Sequence, residues 1–124
     1  MDTTFTIQQV AKITGLSVHT LRYYERIGLL APVDRLDSGY RCYSNKDIEW
    51  IEFLNRLRFT GMSIRKMQQF AALLRQGNET IHERRGMIEQ HEQDLRAHMA
   101  QLEENLKYIE YKIRLYKKME TNES

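Results

Sequence analysis

The stretch Ile7-Gln-Gln-Val-Ala-Lys-Ile-Thr-Gly-Leu-Ser-Val-His-Thr-Leu-Arg-Tyr-Tyr-Glu-Arg-Ile-Gly-Leu-Leu30 decides the fold of this chain. Thr6, just before it, is placed to cap a first helix, and Gln9 three residues on completes a capping box. Ile7, Val10 and Ala11 then form a narrow apolar stripe at helical spacing. Gly15 stops that helix, Leu16 packs the turn, and Ser17 caps a second helix reading Val18 to Ile27. Gly28 is its C-terminal stop. Two short helices joined by a glycine-containing turn of about three or four residues are the helix-turn-helix pattern.

Downstream of Leu30 stands the only proline, Pro32, and then β-friendly residues flank Asp37-Ser38-Gly39, which reads as a hairpin turn. Residues 31–43 are therefore expected to form a wing. Ser44 and Asp47 form a second capping box, opening a helix to about Thr60 that carries Ile48, Trp50, Ile51, Leu54 and Leu57. After Gly61, Ser63 caps a further helix with Ile64, Met67, Phe70, Ala71 and Leu74 on one face, ended by Gly77-Asn78. Thr80 and Glu83 read as another capping box, opening a helix to about Met119.

Within that last helix Ile88, Leu95, Met99, Leu102, Leu106, Ile109, Ile113 and Tyr116 are spaced 7, 4, 3, 4, 3, 4 and 3 apart. This is an a/d heptad seam. Roughly 39 residues at ~1.5 Å each make a rod of about 58 Å, longer than a small head can cover, and a second copy of the chain is the simplest partner for its seam. Arg85 and Glu92 fall on seam positions, so pairing is expected to be tightest from Leu95 onward. The expected class is mainly α. Residues 1–76 form a winged helix-turn-helix head (helix-turn-helix 6–28, wing 31–43, two further helices 45–76), 80–119 a coiled-coil dimerisation helix and 120–124 a tail.

Composition narrows the function. A chain of 124 residues, 41% hydrophobic and 29% charged, suits one small helical domain with an extension and argues against disorder. No apolar run approaches the roughly 20 residues of a membrane span, and the N-terminus lacks a signal-peptide pattern, so a cytoplasmic location is expected and no membrane partner. The single cysteine, Cys42, excludes an intrachain disulfide. No nucleophile–base constellation, metal-ligand cluster or glycine-rich phosphate loop is found, so neither an enzyme nor a cofactor or metal is expected. His91 and His98 are seven apart, their backbones separated by about 10 Å, too far to share an ion within one chain.

On the second helix Val18, Leu21 and Tyr24 share the inward face. His19, Arg22, Tyr23 and Arg26 lie opposite, with Thr20 beside them and Ser17 at the N-terminus. Arginine can fork onto a phosphate or a guanine edge, hydroxyls bond phosphates, and a helix N-terminus favours anions. The net charge of +2 predicts nothing by itself. Between Ser17 and Lys46, however, five basic residues (Arg22, Arg26, Arg35, Arg41, Lys46) face three acidic ones (Glu25, Asp34, Asp37). The plain alternative is a solvated, ion-paired helix face on an adaptor whose coiled coil binds another protein. Specific, salt-dependent binding to a palindromic duplex separates the two.

The run Leu21-Arg-Tyr-Tyr-Glu-Arg-Ile-Gly-Leu-Leu30, followed by Asp37-Ser-Gly-Tyr-Arg-Cys-Tyr-Ser44, resembles the head of the MerR family of transcription regulators, and the likeness extends into the coiled coil. The resemblance implies an antiparallel coiled-coil homodimer on double-stranded DNA. It would bind a palindromic promoter element inside an over-long spacer, bending and untwisting it so that RNA polymerase can engage both promoter elements. It also implies DNA contacts from His19, Arg22 and Tyr23 on the recognition helix and from Tyr40 and Arg41 on the wing.

The coil lacks the cysteines that metal-sensing members carry. The chain ends about five residues after the coil, so the separate ligand domain of drug-sensing members is not expected. The short form resembles the subgroup responding to aldehydes or other electrophiles, which implies a small-molecule or electrophile effector. Where thiol-sensing members carry a cysteine after the wing, this chain has Arg56. Cys42, between Arg41 and Tyr43, is the remaining candidate redox-sensitive thiol, and a small strand residue without a regulatory role is the plainer reading. Trp50, Met62, Met67 and Phe70 are candidates to line a small-molecule pocket, or else plain core.

Overall fold

The structure, a computed structural model, describes residues 4–31, 34–35 and 41–122. In chain order it contains α1 (Ile7–Thr14), α2 (Val18–Arg26), β1 (Asp34–Arg35), β2 (Arg41–Cys42), α3 (Asn45–Phe59), α4 (Ile64–Gln76), a 3₁₀ turn (Asn78–Thr80) and α5 (Ile81–Asn122). This is a mainly α chain with a winged helix-turn-helix head and a long C-terminal helix.

Local chemistry sets most boundaries. At α1 the Gln9 N–H donates to Thr6 Oγ1 at 3.1 Å, and the Thr6 N–H donates to Gln9 Oε1 at 2.8 Å. Gly15 closes the helix with φ 78°, a left-handed conformation that a side chain makes costly. At α3 the Asp47 N–H donates to Ser44 Oγ at 3.2 Å while the Ser44 N–H donates to Asp47 Oδ2 at 2.8 Å, the expected box. Ser17 and Ser63 cap α2 and α4 by accepting from the Thr20 and Lys66 N–H groups.

The box expected at Thr80 and Glu83 does not form. Thr80 sits in the 3₁₀ turn, buried, and its hydroxyl donates to the carbonyls of Leu73 at 2.6 Å and Gly77 at 2.9 Å. The unsatisfied carbonyls at the end of α4 have taken the hydroxyl that a local reading assigned to α5.

The chain divides into two compact units, Met1–Met87 and Ile88–Ser124. In the first, Val10 from α1, Leu21 and Tyr24 from α2, Leu29, Tyr43, Ile51 and Leu54 from α3, and Met67 from α4 are fully enclosed in one core. Met62 and Phe70 are buried with them, so of the four candidate pocket residues these two and Met67 belong to the interior. Trp50 is half-buried, stacked on Phe70 with ring centroids 5.7 Å apart. It lines a cavity of about 190 Å³ with Leu29, Leu30, Ala71 and Arg75.

The wing strands β1 and β2 pair antiparallel, Asp34 opposite Cys42 and Arg35 opposite Arg41. Their base is anchored where Phe5 and Tyr43 exchange backbone hydrogen bonds of 2.8 and 2.9 Å. The expected turn at residues 37–39 lies outside the described residues.

In the second unit α5 buries no residue. Met99, Leu102, Leu106, Ile109, Ile113 and Tyr116 are each 48–59% exposed, Leu95 and Ile88 somewhat less. No helix among the described residues is long and apolar enough to cross a membrane.

Candidate nucleic-acid interface

The nine-residue α2 is the centre of the site, and its two faces have opposite fates. Leu21 and Tyr24 are fully buried and Val18 packs against the same core, which pins the helix along one side. His19, Arg22 and Arg26 are exposed on the other side, with Thr20 and Tyr23 half-buried at its margins. At the N-terminus Ser17 Oγ accepts from the Thr20 N–H at 3.0 Å and donates to Thr20 Oγ1 at 2.9 Å, so Ser17 and Thr20 hold each other at the helix end. Free N–H groups and the positive end of the helix dipole lie there, a place that suits a phosphate.

Aromatic contacts order the exposed cations. The Arg26 guanidinium lies 5.6 Å from the Tyr23 ring centroid, a cation–π arrangement that limits its freedom before any ligand arrives. Tyr24, next in line, is tilted against Tyr23 at 6.4 Å, and its hydroxyl accepts from the Arg58 guanidinium of α3 at 2.8 Å. That hydrogen bond raises the Arg58 pKa further, so the group keeps its charge at any working pH. Arg58 thus reaches from α3 to hold the buried tyrosine of α2, a role that spacing along either helix alone could not reveal.

On the wing, Arg41 lies in β2 opposite Arg35, so the hairpin brings two arginine positions into register. Tyr40 is outside the described residues. Cys42 is a free thiol, half-buried, paired across the strands with Asp34. Among the described residues no three His, Cys, Asp or Glu side chains are placed to share a metal ion. The seam residues Leu95, Met99, Leu102, Leu106, Ile109, Ile113 and Tyr116 all lie on α5.

Chemically, the exposed face of α2 can offer hydrogen-bond donors and positive charge from a helix pinned to the core. Three further side chains that support α2 were not legible as such from the sequence: Trp50, Gln68 and Arg75 donate to the carbonyls of Leu29, Ile27 and Gly28. Trp50 stands among the apolar positions of α3, and Gln68 and Arg75 flank the apolar stripe of α4. A donor-capable residue at that margin was the only available signal.

Comparison with known proteins agrees with this geometry. The family model described as "MerR HTH family regulatory protein" matches residues 5–74, and "MerR, DNA binding" matches residues 48–111. Over 115 residues the chain is 36% identical to an HTH-type transcriptional regulator of Haemophilus influenzae, covering 93% of this chain and 85% of that one. It is 45% identical over 89 residues to the HTH-type transcriptional regulator AdhR of Bacillus subtilis, covering 72% of this chain and 64% of that relative. Among solved structures, the fold matches HiNmlR, a MerR family regulator lacking the sensor domain and bound to promoter DNA. The TM-score is 0.86 at 35% identity, covering 94% of this chain and 92% of that one.

Proposed function

This chain belongs to the MerR family of HTH transcription regulators, and on that premise we propose that it works as a homodimer reading a palindromic promoter element. Each head presents α2 to one half-site. Arg22 and His19 reach base edges or phosphates, while Tyr23, Arg26, Ser17 and Thr20 bind the backbone, and Tyr40 and Arg41 add contacts from the wing. The α5 seam from Leu95 to Tyr116 joins the two copies and fixes the half-site spacing.

The observation that carries this reading is the division of α2. One face is fully enclosed through Leu21 and Tyr24, and the other holds His19, Arg22 and Arg26 exposed. Two heads on one rigid dimer can bend and untwist the DNA between them, at a cost of several kcal/mol offset by the second docking event, and so present the promoter to RNA polymerase. A small molecule or electrophile that prefers one dimer geometry then shifts the distorted population by its differential affinity.

The test is selection of bound duplexes from a random pool at about 0.15 M salt, near physiological screening. The expected result is enrichment of a two-half-site palindrome. Absence of any enriched sequence would refute specific DNA reading and leave an interaction adaptor.

A further inference from the structure

Just beyond α2 three consecutive carbonyls are taken by side chains from two other helices. Gln68 Nε2 on α4 donates to Ile27 O at 2.7 Å, the Arg75 guanidinium on α4 donates to Gly28 O, and Trp50 Nε1 on α3 donates to Leu29 O at 2.8 Å. Backbone N–H groups of residues 27–30 use carbonyls three to six residues earlier, on Tyr23, Tyr24 and Glu25. The end of the recognition helix is therefore held by directional bonds as well as by packing.

The α4 turn that carries Arg75 is also tied from its other side. Arg84, in the first turn of α5, donates through Nε to Thr80 Oγ1 at 3.0 Å and through its guanidinium to Gly77 O at 3.1 Å. The Thr80 hydroxyl donates to Leu73 O at 2.6 Å. Residues 73–77 thus stand between the start of α5 and the end of α2.

We propose that Trp50, Gln68 and Arg75 are positioning residues for DNA reading, and that Arg84, through Thr80 and the last turn of α4, couples the first turn of α5 to the pose of the recognition helix. The lever is short and effective: α2 is ~13 Å long, and a tilt of ~10° about its C-terminal end moves His19 by roughly 2 Å, enough to break a hydrogen bond to a base edge. None of the three donors needs to touch DNA. The consequence for DNA rests on the regulator reading above; the coupling itself does not.

The experiment has two arms, both on the intact chain. In the first, Arg75→Ala and Gln68→Ala are titrated against the selected palindrome and an unrelated duplex. The ratio of specific to non-specific affinity should fall about tenfold for Arg75→Ala, the worth of one lost charge-assisted hydrogen bond. Non-specific affinity should hold, because the cations of α2 remain, and Arg75→Lys should restore part of the ratio. A folded Arg75→Ala dimer with lower melting temperature but unchanged ratio would make these groups merely structural and overturn the positioning role.

The second arm needs no DNA. Trp50 is the only tryptophan, so its indole N–H gives a single resonance reporting the bond to Leu29. Arg84→Ala should shift that resonance and speed its solvent exchange several-fold. An indole signal indifferent to Arg84→Ala in the folded chain overturns the coupling. If the wild type selects no palindrome, the regulator reading fails while this arm still decides the coupling.

Discussion

The head and the C-terminal unit solve the problem of apolar surface in opposite ways. In the head, short helices of 8 to 15 residues enclose each other's stripes until Val10, Leu21, Tyr24, Ile51 and Leu54 reach no solvent. In α5 the same kinds of side chain, Leu102, Leu106, Ile109 and Ile113, stay about half exposed at strict heptad spacing. The first region is finished within one chain. The second leaves its seam about half exposed, and the proposed partner helix would cover it, because an apolar seam of this length is stabilised only when another helix does so. In the proposed dimer the division of labour follows: a self-contained head is presented as a reading surface, and the coil sets how far apart two such surfaces stand.

The contrast breaks most visibly at the seam. Leu102→Asp with Leu106→Asp puts two charges where apolar contact is required, and light scattering should show monomers with the head's helical signal retained. Next in size is the head's core. Leu21→Ala should lower head stability by about 2–5 kcal/mol, read as a lower denaturant midpoint, while light scattering still finds a dimer. Arg22→Ala touches neither core nor seam. It should weaken operator binding by about 1–3 kcal/mol in a folded dimer, and near-wild-type affinity in a titration removes Arg22 from the interface. Ser17→Ala is the smallest change, a loss of about 1 kcal/mol from the missing N-cap, visible as a modest drop in melting temperature.

Legibility in the sequence followed range. The caps at Thr6, Ser17, Ser44 and Ser63, and the stop at Gly15, depend on residues three or four apart, and all could be read directly. The inward and outward faces of α2 follow from helical period alone, and Leu21 and Tyr24 lie where that period puts them. Thr80 resembled another cap because its local pattern is the same, yet the carbonyls of Leu73 and Gly77 drew its hydroxyl inward. The bonds from Trp50, Gln68, Arg75 and Arg58 to α2 and the loop after it span 21 to 47 residues, a distance at which no local pattern carries information. The core and the long C-terminal helix were therefore readable, whereas the polar supports of α2 needed the fold.

The most direct measurement is titration of the selected palindrome and of its isolated half-site with the wild type and with the Leu102→Asp/Leu106→Asp variant at about 0.15 M salt. A two-headed dimer should bind the palindrome at least ~100-fold more tightly than the half-site, through the effective concentration of the second head, and the monomeric variant should lose that gain while matching the wild type on the half-site. Equal affinity of the two proteins for the palindrome would mean that α5 does not join the reading heads.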